Sequence, residues 1–160
     1  MKLQLATVGK LKSGPEQELH DKYLDRARKT GGQLGFPQID LLEIKEAKSD
    51  NAIKRKQQEA CSLLELMPSD RILIAFDEFG EDISSTKFAH YLSSNRDSGI
   101  GHMVFAIGGA DGHGKELLQS ADKKLRFGRM TWPHQIARIL LIEQIYRSMT
   151  ILVGHPYHRQ

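Results

Sequence analysis

Cysteine is nearly missing from this chain: one thiol, Cys61, stands in 160 residues. A single thiol closes no intrachain disulfide, so stability must come from a packed core, and the usage fits a reducing, cytoplasmic setting. Long apolar runs are missing too. No stretch approaches the roughly 20 residues that a membrane span needs, which predicts a chain that makes no membrane contact. The opening "MKLQLATVGK" is interrupted by Gln4 and Lys10 and has no small-residue cleavage site, so it reads as a first strand and not as a signal peptide. Repeats, low-complexity tracts and long linkers are likewise missing, and the length suits one domain spanning 1–160.

An excess of one charge is also largely lacking, the formal net charge being only +3, but its distribution is uneven. Residues 122–160 carry seven basic residues against Asp122 and Glu143, a net +5, which leaves −2 for the first 121. A basic C-terminal quarter that also holds His134, His155 and His158 favours a polyanionic partner such as RNA.

Strand-like and helix-like segments alternate along the chain. "LQLATV", "QIDLLEI", "RILIAFD" and "HMVFAIG" are short apolar runs bounded by turn residues. Between them lie a helix opened by the capping-box-like Ser13-Gly14-Pro15-Glu16, a polar helix over 50–66 with an Ile53, Ala60, Leu63, Leu64 stripe, and the capped helix "SSTKFAHYLSSNR". Apolar strands joined by helices predict an α/β fold, a mostly parallel sheet flanked by helices on both faces. The last helix, from Pro133 to Ile151, is apolar around its whole circumference and should be buried all round. A second copy of the chain covering part of it, in a two-fold homodimer, is the expectation.

Two glycine-bearing segments carry the chemical signal. "FAIGGADGHGKEL" runs from a strand through a glycine-rich turn into a helix, the place where parallel sheets bind ligands. Gly109 to Lys115 nearly matches a nucleotide-binding P-loop, but Glu116 stands where a Mg²⁺-binding hydroxyl belongs, which argues against a nucleotide hydrolase. The second segment, "RFGRMTWPHQIARILLIEQIYR", sets Gly128, Met130, Thr131 and Trp132 in a loop before Pro133, which suits the first turn of a helix. The ending "GHPYHRQ" gathers His155, Pro156, Tyr157, His158 and Arg159, an unusual load of ordered groups for a terminus.

"MKLQLATVGKLK", "IGGADG", "RMTWPHQIARILLIEQIYR" and "HPYHR", in this order across essentially the whole chain, resemble the RlmH-type methyltransferases of the SPOUT superfamily. That resemblance implies a C-terminal trefoil knot over about residues 70–155 and active sites formed across a homodimer. It also implies S-adenosyl-L-methionine as cofactor and a pseudouridine of large-subunit (23S) ribosomal RNA, on the ribosome, as substrate. Cofactor contacts then fall on Phe76, on Gly108, and on Phe127, Gly128, Arg129, Met130, Thr131 and Trp132. A sulfonium donor already carries its leaving group, so no metal is expected. What remains is to align donor with acceptor and to remove the N-3 proton. His134, His155 and His158 are the candidate bases, and Tyr157 or Arg159 would stabilise developing charge on the imidate oxygens. A ribosome-binding module without catalysis is the alternative, and it would not need the cofactor loops.

Overall fold

The computed structural model describes residues 1–158. Five strands, β1 (Lys2–Val8), β2 (Ile39–Ile44), β3 (Arg71–Asp82), β4 (His102–Ile107) and β5 (Lys123–Arg126), form one sheet in the order β2-β1-β4-β3-β5. Every pairing is parallel. Four α-helices connect them, α1 (Pro15–Gly31), α2 (Ala52–Leu66), α3 (Ser85–Asp97) and α4 (Lys115–Ser120), and a fifth, α5 (His134–Leu152), follows β5.

Side-chain alternation along the strands divides the core into two layers. Leu3, Leu5, Ile74, Met103 and Phe105 face α1, α3 and α5, where Leu24, Phe88, Leu92, Leu141 and Ile145 meet them. Their neighbours Ala6, Ala75, Val104 and Ala106 face α2 and α4, against Ala60, Leu63 and Leu117. Ala6, Ala106 and Ala75 stand side by side in register across β1, β4 and β3, a row of small residues that lets this second layer lie close to the sheet.

Four of the five strands follow the apolar runs of the sequence. The missing one, β5, is a basic four-residue edge strand in which Leu125 alone is buried, too short to show a period. Two local expectations change. Gly14, with no side-chain cap, precedes α1, and Pro15 takes its first turn, so Ser13 makes no capping box. Ile53 is 73% exposed because it sits in the first turn of α2, beside the Asn51 cap and away from the sheet. Ala60 and Leu63 of the expected stripe are buried.

Helix α5 packs between α1 and α3 over the sheet, and none of its residues is exposed. Nine are buried within the chain itself. Much of the covering that the apolar circumference demands is therefore supplied by the chain's own α1, α3 and β-layer. The half-buried Ile136, Leu140 and Ile151 remain as a stripe along one side. No described helix is long and apolar enough to cross a membrane.

Candidate active site

The carboxyl ends of β3, β4 and β5 open into a cleft of about 740 Å³. β3 continues to α3 on one face of the sheet and β4 to α4 on the other, so the chain leaves a crevice between them. Phe76 ends the regular part of β3, Ile107 ends β4 with Gly108 after it, and Phe127 follows β5. Gly128, Met130, Thr131, Trp132, Pro133 and His134 close the far side. The fold thus collects Phe76, Gly108, Phe127, Gly128, Met130, Thr131, Trp132 and His134 around one space. Arg129 is exposed and is not part of the lining.

The walls are held from behind. The Phe76 and Phe127 rings stack at 4.4 Å with 11° between their planes. The Trp132 indole N–H donates to the Phe127 carbonyl at 3.2 Å. His113 is buried beneath the glycine turn, its Nε2 3.1 Å from the Phe76 carbonyl; a carbonyl only accepts, so Nε2 carries the proton. Burial pushes this imidazole below the ordinary histidine range, so it ties the β4 turn to β3 as a neutral group. Nothing in "GADGHGK" marks His113 for that task, and sequence reading passed over it.

A side chain at Gly108 would not point at a ligand. Its Cβ would stand 2.7 Å from the Gly112 carbonyl carbon and 3.0 Å from the His113 amide nitrogen, inside the turn that Gly112 N–H closes on the Gly109 carbonyl at 3.0 Å. This tight closure leaves no wide phosphate cradle from Gly109 to Lys115. Gly128, with φ 100° and open space where a Cβ would be, turns the loop after β5 in a conformation that other residues rarely adopt. Met130, 75% exposed, and Phe79, 86% exposed, stand on the rim.

His134 opens α5 and is half-buried on the cleft wall. Burial, then the positive Arg138, pushes its imidazole below the usual range, against an opposing pull from Glu46 and Glu59. It is therefore neutral near pH 7 and able to take up a proton. One turn further along, Arg138 is 2% exposed. Its guanidinium donates to the Val8 carbonyl, to the Gly9 carbonyl at 2.7 Å and to Glu43 at 3.1 Å, clasping the ends of β1 and β2. A charge inside an apolar helical run is the signal that could have pointed to such a clasp.

The tail lies at the other end of α5. The Gly154 amide donates to the Ile151 carbonyl at 3.1 Å and the His155 amide to the Thr150 carbonyl at 2.9 Å, which turns the chain back beside the helix. His155 Nδ1 accepts the Tyr157 amide at 3.1 Å, so the neutral ring keeps its proton on Nε2 as a donor. The Tyr157 ring packs on Tyr146 at 4.9 Å and its hydroxyl donates to Glu143 at 2.9 Å. Neither His155 nor Tyr157 lines the cleft of its own chain, His158 is half-buried beside them, and Arg159 lies outside the described residues.

The basic C-terminal quarter is partly neutralised internally. Lys123 pairs with Glu81, Arg126 with Asp82, Arg138 with Glu43 and Arg147 with Glu143, leaving Lys124 and Arg129 as exposed cations among the described residues. Among the described residues there is also no cluster of three His, Cys, Asp or Glu side chains able to hold a metal ion.

Comparison with known proteins adds an independent line. The family model described as predicted SPOUT methyltransferase matches residues 1–158. Over 159 residues, 99% of each chain, the sequence is 46% identical to the ribosomal RNA large subunit methyltransferase H of Bradyrhizobium diazoefficiens. With the same coverage it is 47% identical to the protein of that name from Nitrobacter hamburgensis and 48% identical to that from Bartonella tribocorum.

Proposed function

The chain belongs to the SPOUT methyltransferase family, and on that premise we propose that it methylates N-3 of a pseudouridine in large-subunit ribosomal RNA, using S-adenosyl-L-methionine. The observation that carries this reading is the cleft at the ends of β3, β4 and β5, into which the expected cofactor positions other than Arg129 converge. Its volume falls in the ordinary range for small-molecule sites. The stacked Phe76 and Phe127 and the Trp132 indole offer an apolar wall against which a purine ring can pack. Asp77 and Glu78 stand on the same lining to favour a cationic sulfonium, while Asp111 there is paired with Arg55. When bound, the cofactor supplies an electrophilic methyl group and leaves as a neutral thioether.

The residues of the chain then have two tasks. The walls hold donor and acceptor in line, the proximity contribution to the rate. His134, neutral and facing the cleft, takes the N-3 proton as the nitrogen forms its bond to carbon. His155 Nε2–H, with Arg159, stabilises the charge that develops on the imidate oxygens.

The tail reaches a cleft only through a second copy of the chain. His134 is the first of the 19 residues of α5, and the tail, which follows the last, folds back only as far as Glu143, nine residues or about 14 Å from His134 at ~1.5 Å per residue. A two-fold dimer through the half-buried Ile136, Leu140, Ile151 stripe would run the two helices in opposite directions and bring each tail to its partner's cleft. The backbone also supports the C-terminal knot: Leu125 pairs with both Phe76 and Glu81, and a Cβ on Gly80 would stand 2.4 Å from the Leu125 carbonyl carbon, a close crossing of two chain segments.

Mass mapping of ribosomal RNA nucleosides from cells lacking the gene tests the reading. It should show one methylpseudouridine missing, restored by the wild-type chain. An unchanged nucleoside inventory, with no thermal stabilisation of the protein by S-adenosyl-L-methionine, would leave a non-catalytic ribosome-binding module in its place.

A further inference from the structure

We infer that Glu143 is a positioning residue for the transfer reaction: on α5 it grips Tyr157, and that grip holds His155 and His158 in one place. The inference rests on the proposal that the tail completes a substrate site. Its consequence is that the Tyr157 hydroxyl serves the grip and not the reacting base.

Glu143 is well placed for this. Its side chain is 15% exposed, and one oxygen, Oε1, accepts from Arg147 Nε at 3.0 Å, from Arg147 Nη2 and from the Tyr157 hydroxyl at 2.9 Å. The charge on Glu143 strengthens each of these bonds, and the two from Arg147 hold the carboxylate in place for the tyrosine. The Tyr23 hydroxyl of α1 lies 3.3 Å from that of Tyr157. Tyr157 has a single hydroxyl hydrogen, and Glu143 already receives it. Tyr23 can then only donate to the Tyr157 oxygen, which leaves that group no proton for a substrate.

The ring is held as firmly as the hydroxyl. Tyr146 meets it at 4.9 Å and the Arg147 guanidinium lies 4.9 Å from its centroid. Tyr146 in turn packs on Tyr23 at 6.1 Å. A terminal segment has no neighbour further along the chain to order it, so a side-chain anchor of this kind is what confines its position. The backbone turn at Gly154 and the Tyr157 amide bond to His155 Nδ1 pass that order to the imidazole.

Hydroxyl and ring can be separated by substitution. Tyr157→Phe keeps the packing and loses the hydroxyl, whereas Tyr157→Ala and Glu143→Ala loosen the tail, and Glu143→Gln keeps an acceptor for Tyr157. The expected result is a kcat within about threefold of wild type for Tyr157→Phe and Glu143→Gln. A fall of roughly 30-fold or more is expected for both alanine variants, with the affinity for S-adenosyl-L-methionine unchanged in all four. Amide heteronuclear NOEs at residues 155–158 should stay at folded values in the first pair and drop in the second. A Tyr157→Phe enzyme as slow as Tyr157→Ala would overturn the inference and return the hydroxyl to the chemistry. So would alanine variants with wild-type kcat and an ordered tail. Should the wild-type protein transfer no methyl group at all, the functional reading fails, and the NOE pattern still decides whether Glu143 grips the tail.

Discussion

The two ends of α5 solve different problems. At its N-terminal end the cleft is built from strand ends, tight turns and carbonyl groups, with side chains bracing from behind: His113 under Phe76, Trp132 against Phe127, Arg138 against Val8 and Gly9. At its C-terminal end the tail is held by side chains meeting side chains, Glu143, Arg147, Tyr146 and Tyr157. A backbone-built site is rigid because the whole sheet holds it. A side-chain-built site rests on a few groups and moves when one is lost. The cleft should therefore fail when space is taken from it, and the tail when a contact is removed.

The largest effect should come from filling space inside the turn that walls the cleft. Gly108→Val puts a branched side chain into the Gly112–His113 backbone and cannot be accommodated without reshaping the turn. Affinity for S-adenosyl-L-methionine should fall at least ~100-fold, about 2.7 kcal/mol, in calorimetry. Undiminished affinity would show that the turn does not shape the cofactor site.

Removing the tail tests the other side of the comparison. Deletion of residues 155–160 takes away no core residue among the described ones, so folding and cofactor affinity should survive while methyl transfer to ribosomes falls by orders of magnitude. A truncated chain that methylates ribosomes at the wild-type rate would reduce the tail to an ordinary solvated end.

Arg138→Met asks whether bracing from behind matters as much as the walls themselves. It removes a buried cation and leaves Glu43 and two strand-end carbonyls without their donor, at a cost of about 3 kcal/mol in unfolding free energy. Glu43→Gln, which keeps an acceptor near the same guanidinium, should cost less. Denaturant titration separates the two, and an Arg138→Met chain as stable as wild type would show that the clasp contributes nothing.

The smallest effect is on pH dependence. His113 and His134 both have imidazoles held below the usual range in the folded state, so the unfolded chain binds more protons as the pH falls. Stability that is fully present above pH ~6.5 should decline below it, and His113→Asn should flatten that decline. A melting temperature with the same acid slope in wild type and His113→Asn would place the linkage elsewhere.

Much of this molecule was legible in its sequence. Apolar runs bounded by turn residues marked β1, β2, β3 and β4, and the glycine-bearing segments before Lys115 and before Pro133 marked the positions that the cleft collects. These features are local: each depends on residues within a few positions of one another, which periodicity and turn chemistry express directly. Four motifs in order were enough to point to the family. Tertiary structure alone decided the rest, because it depends on groups far apart in the chain. β5 exists because β3 offers its short basic segment an edge, and His113 is a brace only because Phe76 ends 37 residues earlier beside it. Arg138 is clasped by carbonyls about 130 residues away. Tyr157, whose residue type suggested chemistry, has its hydroxyl proton taken by Glu143. A hydrogen bond is made where donor and acceptor meet in space, and the folding of the sheet and α5 decided which of them met.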